Sequence, residues 1–181
     1  EDCKGILGFG DVWTWTALCS DTKLIISYHI GLRDAVDALH LIDDLRSRLA
    51  NRGQLTSDGH RAYLVAVEES FGANVDFAQP VKLYGAPAGH GDERRYSPAE
   101  CTGAIKTTVT GNPDKKHIST SHVERMNLNI RMGVRRFRRL TNAFSKKIEN
   151  HIHALSIYFA YYNFGRVHQT RRVTPAMEAG L

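Results

Sequence analysis

The apolar residues of this chain switch their period repeatedly, and that switching constrains the fold more than any other feature. Residues 11–19, DVWTWTALC, are rich in the β-branched and aromatic side chains that suit a pleated strand. SDTK follows as a turn and LIISYHI, residues 24–30, resumes the strand pattern, so the two segments read as a hairpin. From Asp34 the spacing becomes helical. Val36, Leu39, Ile42, Leu45 and Leu49 recur every three or four residues, Asp34 can cap the first turn, and Gly53 follows the end. QLTS at 54–57 is a short strand, Tyr63, Leu64, Val67 and Phe71 pattern as a second helix, and VDFAQPVKL at 75–83 returns to strand. This order predicts an α/β fold with a mixed sheet flanked by helices.

Residues 84–118 hold GAPAGHGDERRYSP, a short strand AIKTTVT, and GNPDKK. A connection this long inside a domain is usually functional, so an exposed excursion is expected there. Two helices follow, over about 121–136 and 145–163, the second carrying Ile148, Ile152, Leu155, Phe159 and Tyr162 on one stripe. The tail, 164–181, reads as irregular. With 181 residues, 42% of them hydrophobic, and no internal repeat, the chain predicts one main folding unit.

The net charge of +5 conceals a segregation. Residues 1–120 carry 13 Lys and Arg against 16 Asp and Glu, while residues 121–181 carry 11 against 3. A basic C-terminal third fits a polyanion, most simply a phosphate backbone, although a solvated helix face would share the composition. Ala154–Gly165, a 12-residue run without charge, includes three tyrosines and an asparagine and falls short of the roughly 20 apolar residues of a membrane span. Cys3, Cys19 and Cys101 are too scattered for a disulfide framework or a zinc site and fit a reducing cytoplasm. His151 and His153 form an H-x-H with His117 and His168 elsewhere, but no metal-ligand spacing unites them, and solvated or packing roles are expected.

Two carboxylates stand out. Asp58 sits where a strand ends, the place at which α/β sheets build sites, yet Asp58-Gly59 also suits a plain turn. Glu124 is the single acid in STSHVERMNLNIRMGVRRFRRL, residues 119–140, among six arginines. With Ser121 it matches a capping box, so a helix cap is the sober reading. Taken together, a strand-end Asp and a helix-start Glu supply carboxylates from separate elements, as a two-metal phosphoryl-transfer site requires.

DVWTWTALCSDTKLIISYHIG, LTSDGHRAYL, STSHVERMNLNIRM, RLTNAFSKKIENHIHAL and YYNFGRVHQTRRVTPAM together resemble bacterial insertion-sequence transposases of the DDE class, nearest to the insertion-sequence-one-like group. The likeness covers nearly the whole chain and includes the ending formed by Tyr162, Asn163, Arg166, His168, Thr174, Pro175 and Ala176. It implies a ribonuclease-H-like fold shared with retroviral integrases, and a site of three carboxylates holding two Mg²⁺ or Mn²⁺ ions. Asp58 in LTSDGH matches the second acid and Glu124 in HVERMN the third.

The first acid belongs in a strand that the resemblance places upstream of Glu1, so the chain reads as an N-terminally truncated core without its DNA-finding region. Asp11 and Asp21 are poor substitutes, one preceding a strand and the other in a turn. The activity implied is metal-dependent DNA cleavage and strand transfer between element ends and target DNA, in a nucleoid-associated homo-oligomer. Arg131, Arg135, Arg136, Arg138, Arg139, Lys146 and Lys147 are the candidates for DNA-backbone contact, while Arg166 and His168 either line the site or pack the tail. The alternatives are an inactive DNA-binding remnant of a decayed element and a ribonuclease-H-type hydrolase.

Overall fold

The computed structural model describes residues 12–85, 101–137 and 147–181. They form a mixed α/β structure whose chain divides into two compact units, Glu1–Leu49 with Ser121–Leu181, and Ala50–Thr120. Among the described residues the strands fall into two sheets, a two-stranded and a three-stranded one.

The first unit begins with the expected hairpin, β1 (Trp13–Leu18) antiparallel to β2 (Ile25–Gly31), with a register shift between Ala17 and Leu18. Lys23 closes the turn at φ 65°, and its ammonium donates to the Ser20 carbonyl. Helix α1 (Ala35–Arg48) starts where its cap predicts: Asp34 Oδ1 accepts from the Asp37 amide at 2.9 Å. Its buried stripe is Ala38, Leu41, Ile42 and Leu45, whereas Val36 is exposed, and the helix ends at Leu49, short of Gly53. Asp37 instead turns back to β2, where it accepts from His29 Nε2 at 2.6 Å and from the Leu32 amide.

Helix α3 (Ser121–Gly133) runs into a 3-10 turn (Arg135–Phe137), and α4 (Ile148–Ala160) into a π turn (Tyr161–Gly165). Met126, Ile130 and Val134 recur at helical spacing and meet Leu155, Phe159 and Tyr162 over Ile25 and Ile30 of the hairpin in one buried cluster. Each such side chain contributes about 1.5–3 kcal/mol by leaving water. Ile148 and Ile152 of the predicted stripe are only half-buried.

The tail, expected to be irregular, contains a short helix, α5 (Pro175–Glu178). Thr174 caps it by accepting from the Met177 amide, and Pro175 occupies the first turn, where its missing N–H costs nothing. Arg171 then ties the tail down, donating to Glu178 Oε1 and to the Asp21 carbonyl, both at 2.8 Å.

In the second unit β3 (Gln54–Thr56) is parallel to β4 (Asp76–Tyr84), which is antiparallel to β5 (Cys101–Thr110). Pro80 is tolerated in β4 because it lies beyond the last pairing with β3, Thr56 with Ala78. Helix α2 (Ala62–Phe71) buries Ala66, Val67 and Phe71; Val75, Phe77, Ala78 and Ile118 are buried as well. The expected excursion is therefore regular over 101–110, a ten-residue strand on the sheet edge, exposed along nearly all its length. Residues 86–100 lie outside the described residues.

The GNPDKK turn is fastened to the strand starts. Asp76 accepts from the Asn112 amide and pairs with Arg52 at 2.7 Å, while Gln54 exchanges two hydrogen bonds with the Asp114 backbone. Gly111, at φ 72°, passes so close to Asp76 that any Cβ there would collide with its carboxylate. Among the described residues no helix is long and apolar enough to cross a membrane.

Candidate functional site

Asp58 follows the end of β3 on a turn that is built in detail. The Ser57 amide continues the sheet by donating to the Ala78 carbonyl, after which the chain leaves. Asp58 Oδ1 accepts from the His60 amide at 3.1 Å, and His60 Nδ1 from the Ala62 amide at 3.1 Å. From β4 the buried amide of Gln79 donates to Ser57 Oγ at 3.0 Å and to the Asp58 carbonyl at 2.8 Å. Sequence reasoning overlooked Gln79, although a lone amide in the apolar run VDFAQP was a signal that something polar needed holding. The result is an exposed carboxylate on a fixed backbone. The turn role of Asp58 is thus real, and it leaves the carboxylate facing water.

Glu124 lies in the first turn of α3 and is exposed, while Met126 and Ile130 of the same helix turn inward. An acid there is favoured by the partial positive charge of the helix start. Beside it, Lys23 from the hairpin turn approaches His122 Nδ1 at 3.3 Å. Burial, and then the Lys23 charge, push His122 below its usual pKa. Burial also lowers Lys23, with Arg171 adding to the effect. This geometry has the ammonium donating to a neutral imidazole. Asp21, weighed above as a substitute acid, sits in that same turn and accepts from Ser20 Oγ at 3.4 Å; Asp11 lies outside the described residues.

Asp58 belongs to the unit Ala50–Thr120 and Glu124 to the other. Among the described residues no group of three or more His, Cys, Asp or Glu side chains gathers as a metal cage. Both carboxylates are hard oxygen donors of the type that Mg²⁺ takes, so their chemistry fits the ion.

The candidate DNA contacts are placed in part. Arg131 and Arg135 are exposed along α3 and the turn after it, and Lys147 is exposed at the N-cap of α4. Arg136 Nη1 donates to the Asn150 carbonyl at 3.1 Å, which joins the 3-10 turn to the start of α4. Arg138, Arg139 and Lys146 lie outside the described residues.

The tail motif turns out to be largely packing. Tyr162 is in the core, and Asn163 grips β2, with Oδ1 accepting from the Ile25 amide at 3.0 Å and Nδ2 donating to the Ile25 carbonyl at 2.9 Å. Thr174, Pro175 and Ala176 form the buried start of α5. The His168 amide donates to the Val173 carbonyl, and Arg166 is exposed close to Tyr158 and Tyr162. Among the other histidines, His117 Nδ1 meets Asp114 at 2.9 Å and His151 packs on Phe137. Compared with protein-family models, curated proteins and solved structures, the chain matches none.

Proposed function

We propose that this chain is the core of a DDE-class DNA transposase on a ribonuclease-H-like plan, cleaving and joining DNA with Mg²⁺ or Mn²⁺. The observation that carries the reading is the exposure of the arginines of α3 and of the turn after it. Met126 and Ile130 are consumed by the core, which leaves Arg125 and Arg131, with Arg135 beyond, in solvent beside Glu124, Leu128 and Met132. That is the disposition a phosphate backbone requires. The resemblance of LTSDGH and HVERMN supports a transposase among DNA-binding proteins.

Asp58 and Glu124 are the residues that would hold the metal. The ion, when bound, supplies charge neutralisation at a phosphodiester and a more acidic water. The chain's own part is to fix the carboxylates: Gln79 and the His60 amide hold the Asp58 turn, and the start of α3 carries Glu124. Two carboxylates carry less charge than three, so metal affinity is expected to be weak.

DNA affinity measured against salt, with nicking of supercoiled DNA in Mn²⁺, tests the reading. We expect affinity to fall steeply with salt, and nicking to vanish in Asp58→Ala and Glu124→Ala while both variants still bind DNA. A flat salt response removes DNA as the partner. Identical heats of metal binding for the native chain and Asp58→Ala remove the shared metal site, and binding without nicking leaves the DNA-binding remnant as the surviving reading.

A further inference from the structure

One groove on the C-terminal part of the first unit has a chemistry that contact with duplex backbone does not use. It measures about 580 Å³ and is lined by Gly133 at the end of α3, by Arg135 and Arg136 from the 3-10 turn after it, and by Ile157, Tyr158 and Tyr161 from α4 and its π turn. Two glycines make room for the rings. A Cβ on Gly133 would stand 2.6 Å from Tyr158 Cε2, and one on Gly165 would stand 3.0 Å from Tyr161 Cδ2.

Ile157 and Tyr161, one helical turn apart in the groove wall, are 71% and 58% exposed, and Phe164, further along the π turn, is 64% exposed. The core takes Leu155, Phe159 and Tyr162 from this stretch, so Tyr161 and Phe164 are not needed to fold it. Large aromatic faces left in water next to guanidinium groups call for a ligand that has both π-surfaces and negative charge. Arg136 is already braced for the role by its bond to the Asn150 carbonyl. The acidic side chains of a peptide would use the arginines but present no aromatic face to the rings. In duplex DNA the base faces are hidden in the stack, whereas an unpaired strand exposes them, and stacking on aromatic side chains tolerates any base.

We propose that this groove holds the unpaired bases of a single-stranded DNA segment, with Tyr161 stacking on a base in the groove, the exposed Phe164 of the same π turn offering a second ring where the strand leaves it, and Arg135 and Arg136 taking the flanking phosphates. The inference rests on DNA as the partner and specifies the form in which this surface takes it.

Fluorescence anisotropy with three labelled probes of equal length tests it on the whole chain: an oligothymidylate, an abasic strand with the same phosphates and no bases, and a duplex. The oligothymidylate is expected to bind about tenfold or more tighter than the abasic strand, since each stacked base contributes roughly that factor. Tyr161→Ala and Phe164→Ala should each weaken oligothymidylate binding by about 5- to 100-fold and leave duplex binding unchanged, and Tyr161→Phe should retain it. The probe comparison on the native chain needs no variant, so a folding defect cannot mask the answer. Equal affinity for oligothymidylate and abasic strand, with duplex binding intact, overturns the groove and spares the DNA reading. Absence of binding to all three overturns both. A ribo-oligonucleotide held more tightly than its deoxy counterpart overturns the assignment to DNA.

Discussion

Asn163 shows how much one side chain can decide. Its amide satisfies both backbone groups of Ile25, the first residue of β2, with bonds of 3.0 and 2.9 Å. Asn163→Ala should therefore destabilise the chain by about 1–3 kcal/mol, because two part-buried backbone groups lose their partners; a urea midpoint close to native would refute this. Asp76 gives a second prediction, this one in pH. Arg52, and then the Asn112 amide, hold its pKa down at about 2. A carboxyl depressed in the folded state stabilises fully above its unfolded value, about 4, and that contribution is lost as pH falls through about 2. Arg52→Gln should flatten the stability profile across that window, as read by thermal melts in acid. Neither role was legible in the sequence. Asn163 appeared only as part of a tail motif, since its partner is 138 residues away, and Asp76 appeared only as the start of a strand.

Elements were legible wherever their signals are local. Asp34 announced the start of α1, and the β-branched run of β1 and β2 announced the hairpin, since cap and pleat are decided within a few residues. Thr174 followed by Pro175 carried the same kind of signal for α5, and its shortness hid it in a tail read as irregular. The strand AIKTTVT was legible too, but its extension to Cys101 and its pairing with β4 are tertiary, and the inward turn of Asp37 depends on His29. The join between the hairpin turn and α3 is likewise tertiary. There His122 is pushed down by burial and by Lys23, so the folded state binds its proton less readily than the unfolded chain. Its contribution is complete above about pH 6.5 and falls away as pH drops through the lowered value. We expect His122→Gln to remove that slope, and two superimposable melting profiles between pH 7 and 5 would show the contact to be idle.

On the scale of the whole molecule, the segregated charge was plain in composition, and the helix that exposes it was plain in period. What composition could not say is which arginines the core leaves outside. Arg131 stands on the exposed side of α3, so Arg131→Ala should weaken DNA binding uniformly across sequences and reduce the salt slope by about 1, as loss of one phosphate contact requires. An unchanged slope would take Arg131 off the DNA. The candidate acids were legible as residues because each closes or opens an element. The groove beside Tyr161 was not, because it joins the end of one helix to the side of another.

The first unit is assembled from two stretches of chain, Glu1–Leu49 and Ser121–Leu181, with the second unit contiguous between them. On the ribosome these are not equivalent. Among the described residues, β3, β4 and β5 of this stretch pair only with one another, but Ile25 and Ile30 must wait for Leu155, Phe159 and Tyr162. At translation speeds of about 5–20 residues per second that wait is on the order of ten seconds, during which the nascent hairpin displays its apolar side to chaperones. A chain cut short before Tyr162 would therefore keep the apolar side of its hairpin incompletely covered.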